Sequence, residues 1–203
     1  AGRAIAIGES ASASGDNSIS VGRDSSVPGT DGVALGRQAE SGDEGVAVGL
    51  FATASNTKGT AVGHDTQALA TQTTALGHAS TATNSNDIAI GHTATAEGPD
   101  AMAIGTAASA IAEDAIALGN SANADGADTI AVGRDASAPT LDSVAIGRSS
   151  VAGDSVAGND ESTALGTRAS ATGGRSTALG FVADASGNSS IAIGNQAIAS
   201  ASG

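Results

Sequence analysis

Ile88-Ala89-Ile90-Gly91-His92-Thr93-Ala94-Thr95-Ala96-Glu97-Gly98-Pro99-Asp100-Ala101 is followed at once by Met102-Ala103-Ile104-Gly105, and this return of an apolar–Ala–apolar–Gly pattern after fourteen residues decides the fold. Outward in both directions the glycine recurs as Gly8, Gly22, Gly36, Gly49, Gly63, Gly77, Gly91, Gly105, Gly119, Gly133, Gly147, Gly166, Gly180 and Gly194. Eleven of the thirteen intervals are fourteen residues; Gly36 to Gly49 is thirteen and Gly147 to Gly166 is nineteen. The residue before each glycine is Ile, Val or Leu, and the one before that is Ala in every copy except Ser20. Self-similarity at a fixed period is the mark of a repeat architecture.

Within each unit the apolar spacing is two. Ile88 and Ile90 flank Ala89, and a weaker strip after the glycine alternates in the same way, as in Ala94 and Ala96. Period two is the spacing of a strand, since successive side chains point to opposite faces. Each unit therefore reads as two short strands and two turns. The glycine takes the first turn, and Gly, Asp, Asn and Ser crowd the second, as in Gly15-Asp16-Asn17-Ser18. Helix is excluded because this pattern lays down no stripe at period 3.6.

Composition narrows the function. The chain has 203 residues with no Trp, Tyr or Cys, two Phe and one Met, so it cannot build a thick globular core. Its net charge of −13, with eight Lys and Arg, argues against duplex nucleic acid and anionic membrane surfaces. Without cysteine there is neither a disulfide framework nor a thiolate metal site. No apolar run approaches the roughly 18–20 residues of a membrane-spanning helix, so no direct membrane insertion is expected. The pattern begins at Ile5, close behind Ala1, so the sequence reads as a piece of a longer protein.

Units of equal length stack as parallel turns, each strand pairing with its counterpart one repeat away. The expected fold is an all-β parallel β-solenoid of about fourteen turns. The aliphatic pair of each first strand is assigned to the inside, where it interdigitates with the small second strand. The alanine between them is then left outside as a continuous apolar strip, and such strips mark interfaces. Side-by-side self-association is therefore expected along Ala6, Ala34, Ala47, Ala61, Ala75, Ala89, Ala103, Ala117, Ala131, Ala145, Ala164, Ala178 and Ala192. The self-association does not depend on which face is which. A coil this thin also needs oligomerisation to offset its chain entropy.

Units such as Asp142-Ser143-Val144-Ala145-Ile146-Gly147 and Asn188-Ser189-Ser190-Ile191-Ala192-Ile193-Gly194 resemble the head repeat of YadA-like trimeric autotransporter adhesins. The resemblance covers essentially the whole chain; Thr60, Thr74, Thr163 and Thr177 depart from it by replacing the first aliphatic residue. It implies a left-handed parallel β-roll, a parallel homotrimer, and a single head domain over residues 1–203 with a loop insertion near 148–163. It also implies the surface of a Gram-negative bacterium and a non-enzymatic role without a cofactor. That role is attachment to host cells or extracellular matrix, or aggregation of bacterial cells. A passive spacer in the same surface fibre is the alternative.

Two places stand out as candidate binding sites. The long interval holds Ser155-Val156-Ala157-Gly158, a truncated copy of the motif, beside Asp154, Asn159, Asp160 and Glu161. Inserted loops often carry binding, although a tolerated surface loop is the simpler reading. The position after the glycine is often basic, and His64, His78 and His92 fall there on consecutive turns, where they should stack. Such a ladder could take a metal or an anion, or act as a pH switch, but no carboxylate holds a fixed place beside all three, so a solvated turn is the favoured reading. Acidic residues, including Asp16, Asp31, Asp87, Asp100, Asp114, Asp128 and Asp142, gather near the opposite turn. Phe51 and Phe181 read as local packing. No Ser–His–Asp or paired-carboxylate constellation stands out. The six-residue repeats of β-helical acyltransferases, the threonine ladders of ice-binding solenoids and the nonapeptides of calcium-binding β-rolls are all absent from the pattern.

Overall fold

The computed structural model describes residues 2–154 and 160–201 and divides the chain into two compact units, Ala1–Asp100 and Ala101–Gly203. Each unit is a parallel β-solenoid of seven turns, and no helix occurs among the described residues. Within a unit the three-residue first strands form one parallel sheet and the two-residue second strands form another. Pairing is in register from turn to turn, as in Thr74↔Ile88, Ala75↔Ala89 and Leu76↔Ile90.

The turn around Gly77 shows how the sequence makes the coil. Thr74–Leu76 is the first strand and Thr81–Ala82 the second. Between them lies a four-residue corner, Gly77-His78-Ala79-Ser80, and after them a five-residue corner, Thr83-Asn84-Ser85-Asn86-Asp87. Each corner reverses the chain through one non-glycine residue in the left-handed region, Ala79 at φ 53° and Asn86 at φ 65°, and the first corner also opens on Gly77 at φ 131°. That conformation costs a non-glycine residue roughly 1–2 kcal/mol. The cost is offset by ladder hydrogen bonds to the preceding turn: the Ala79 N–H donates to the His64 carbonyl at 2.9 Å and the Asn86 N–H to the Thr71 carbonyl at 3.1 Å. A turn in isolation would have the strain without the bonds.

Departures from the fourteen-residue period fall at one corner only. The first corner has four residues in every turn, including those flanking the irregular intervals. The second loses one residue in 42–45 and gains five in 153–162, yet Glu44 (φ 52°) and Glu161 (φ 59°) still supply its left-handed residue.

Alanine fills the coil, which corrects the face assignment made from sequence. Ala34, Ala47, Ala61, Ala75, Ala89, Ala103, Ala117, Ala131, Ala145, Ala164 and Ala178 have no accessible surface, and Ala192 has 3%. These side chains are enclosed by their own coil and cannot be the surface at which chains meet. Ala6, on the first strand, is exposed. The aliphatic pairs instead face outward, half-buried or exposed. The reason lies in the corners. A Cβ built on Gly77 would stand 2.8 Å from the carbonyl carbon of Gly91 in the next turn, and closer still to its oxygen. The corner glycines thus stack backbone on backbone, and the strands on either side come so near that methyls fill the space between. In the turn around Gly77 the inward side chains are Thr73, Ala75, Ser80 and Ala82, all fully buried.

Two exceptions to alanine are matched by a second change five residues on. Val27 is the largest fully buried side chain, and it fits because Gly32 has none: a Cβ on Gly32 would lie 2.7 Å from Val27 Cγ1. Gly32→Ala is accordingly expected to destabilise the chain by about 1–3 kcal/mol through overpacking, read from the midpoint of urea unfolding. Ser20, the one strand-centre position that is not alanine, shares a 2.7 Å hydrogen bond with Ser25 in the same turn, and Ser25 donates onward to the Gly22 carbonyl at 2.9 Å. Asp87, one of the acids that gather at the second corner, is fully buried, and its Oδ2 accepts from the Asn84 N–H at 2.7 Å.

Candidate functional site

With alanine turned inward, the apolar outer face of each unit is the aliphatic one. Leu35 and Val62 in the first unit, and Leu118, Ile146, Leu165 and Leu179 in the second, remain 37–43% exposed, with Ile, Val, Leu or Met at most neighbouring outward positions. Threonine interrupts the strip twice, each time on two paired strands: Thr60↔Thr74 and Thr163↔Thr177. No charged side chain stands among the outward positions of the first strands.

The first corner carries a column of rings in the first unit. His64, His78 and His92 stack at centroid spacings of 5.0 Å, with interplanar angles of 5° and 10°. Phe51, one turn earlier, meets His64 edge-on at 6.1 Å and 83°. The Arg37 guanidinium lies 5.2 Å from the Phe51 ring centroid, within range of a cation–π contact. The histidine stack follows from the fourteen-residue count. The Phe51 contact does not follow from that count, because Phe51 stands two places after its glycine, whereas His64 stands one place after.

Beside Phe51 the outer face of the second strands forms a groove of about 450 Å³. Its floor is the row Glu40, Thr53 and Gln67, which are register partners on three successive turns. Gln38, Asp65 and Asp24 flank it. Arg23 Nε approaches Asp24 Oδ2 at 3.5 Å.

Of the remaining candidate residues, three fall among those described. Asn159 and the truncated motif copy at 155–158 lie outside the described residues. Glu161 belongs to the regular coil, with its N–H donating to the Leu141 carbonyl at 3.0 Å. The Asp160 carbonyl accepts from the Arg175 N–H at 2.8 Å, and Asp154 is exposed. Stacked imidazoles do not converge on a point, and among the described residues no three or more His, Asp or Glu side chains are placed to hold a metal ion.

A family model described as the YadA head domain repeat, in two copies, matches residues 2–25, 41–66, 68–94, 82–108, 96–122, 110–136, 124–150, 157–183 and 185–203. Among solved structures, the crystal structure of the collagen-binding domain of Yersinia adhesin YadA is similar at 18% identity and a TM-score of 0.39, over 98% of this chain and 76% of that one. No curated protein matches the chain.

Proposed function

The chain belongs to the YadA head domain family, and from that premise we propose that it is the adhesive head of a bacterial surface fibre, presented outside the outer membrane as a parallel homotrimer. The family match across most of the chain supports the adhesive reading. In this reading the head attaches the cell to host surfaces or extracellular matrix, or to other bacterial cells, and carries out no chemistry of its own.

The outward aliphatic strip supports the trimer. An uncharged row of Ile, Val and Leu on a chain of net charge −13 is poorly suited to water, and copies of the same strip cover one another without opposing any charge. Val62→Lys would place an ammonium in that contact and is expected to weaken association by about 2 kcal/mol per protomer, roughly thirtyfold. Sedimentation of the wild type and the variant, with circular dichroism to show both folded, checks this. A variant trimer as tight as wild type would remove the strip from the interface.

Adhesion itself is tested by exposing the folded trimer to immobilised matrix proteins, host cells and itself. Saturable attachment to any of them is the expected result. A folded trimer that attaches to none would leave the spacer reading.

A further inference from the structure

Four of the five Phe and His rings of the chain stand side by side on one corner of the first unit, although the positions they occupy recur in every turn. We propose that the groove next to them is a binding site for a neutral oligosaccharide. A sugar presents an apolar C–H face, which lies well on an aromatic ring, and a rim of hydroxyls, each needing an acceptor or a donor. The groove offers both. Phe51 is one wall, and Arg37 and the edge of His64 fix its ring in place, so little side-chain entropy remains to be lost on binding. Glu40 and Asp65 accept hydrogen bonds only, whereas Gln38, Gln67 and Thr53 both donate and accept. The row Glu40, Thr53, Gln67 spans about 10 Å at the spacing of parallel strands, the reach of a disaccharide. The volume of about 450 Å³ lies within the usual range for small-ligand sites. Long side chains are unusual in this row: Ser26, which also lines the groove, precedes Glu40, and the members in the other turns of the unit are Ser12, Thr81 and Thr95.

Charge selects among ligands. Carboxylates along the groove and the net charge of −13 repel sulfated and sialylated glycans. A cationic peptide would be drawn by the same carboxylates, so polylysine enters the test as the competing occupant. The site deepens the adhesive reading by giving it a ligand class.

The test exposes the whole chain to an array of neutral, sialylated and sulfated oligosaccharides and to polylysine, then titrates the best neutral glycan. The expected result is binding of neutral glycans that persists in high salt. Phe51→Ala and Glu40→Gln should each weaken it at least about tenfold without changing the circular dichroism. Phe181→Ala, which removes an exposed ring of the second unit that does not line the groove, should not. The proposal is overturned if no neutral glycan binds, if only charged glycans or polylysine bind, or if Phe51→Ala binds as wild type. These outcomes are separate from the fate of adhesion. Glycan binding by a head that attaches to no cell or matrix would sink the adhesive reading and keep the site. Attachment by a head that binds no neutral glycan would do the reverse.

Discussion

Ala89→Leu is expected to cost about 3 kcal/mol or more, a large share of the stability of an ordinary domain. Ala89 has no accessible surface, and Ala94 at the end of the following corner and Ala96 on the second strand of the same turn have none either. Three added carbons have nowhere to go but into those methyls, and the corner glycines that set the spacing cannot yield because they already stack backbone on backbone. Turns contact mainly their neighbours, so the damage should begin locally and show as lost protection of amide hydrogens on the adjoining strands before the unit melts. Urea unfolding followed by circular dichroism gives the magnitude, and a variant as stable as wild type would mean that the coil has room the burial does not show. A companion measurement separates size from polarity. Ala89→Ser with Ala94→Ser reproduces the Ser20–Ser25 arrangement, whose hydroxyls share a 2.7 Å hydrogen bond. The double variant should be more stable than the sum of the single ones predicts, because each hydroxyl alone is buried with less of its bonding satisfied.

Gly77→Val should cost still more, about 4 kcal/mol or above. The residue sits at φ +131°, a conformation side chains rarely adopt, and its Cβ would collide with the backbone of Gly91 rather than with a side chain that could rotate away. Gly59 supplies the control. It does not use the left-handed region, and a Cβ there would have its nearest neighbours at 3.5 Å, ordinary contact. Gly59→Ala should be neutral or gain up to about 1 kcal/mol by restricting the unfolded chain. Thermal and urea unfolding of the two variants check the pair together. Equal effects would mean that corner stacking is not what the glycines provide.

The period, the two strands per turn, the parallel register and the histidine stack could all be read from sequence, because each follows from counting. Which face of the first strand lies inside could not be read by counting. Alternation separates Ile88 and Ile90 from Ala89 but does not say which set is enclosed; that depends on how closely the corners draw the two sheets together, which only the stacked glycines fix. Two signals were nonetheless present. Ser20 takes the place of an alanine while Ser25 appears five residues on, and Val27 is followed by Gly32. Paired changes of this kind are what a crowded interior requires, and an exposed strip would have no need of them. The candidate groove was invisible for a different reason. It joins Glu40, Phe51 and Gln67 across three turns, one of them short by a residue, so no single repeat unit contains it.

The two corners of a turn also differ in what a gene can do to them. The four-residue corner is held by glycine on glycine, so codons gained or lost there would break both sheets at once. The five-residue corner keeps its left-handed residue through the deletion at 42–45 and the insertion at 153–162. Insertions and deletions can therefore be inherited at one corner and are purged at the other, and new sequence, whether written by selection or grafted by design, belongs at the permissive one.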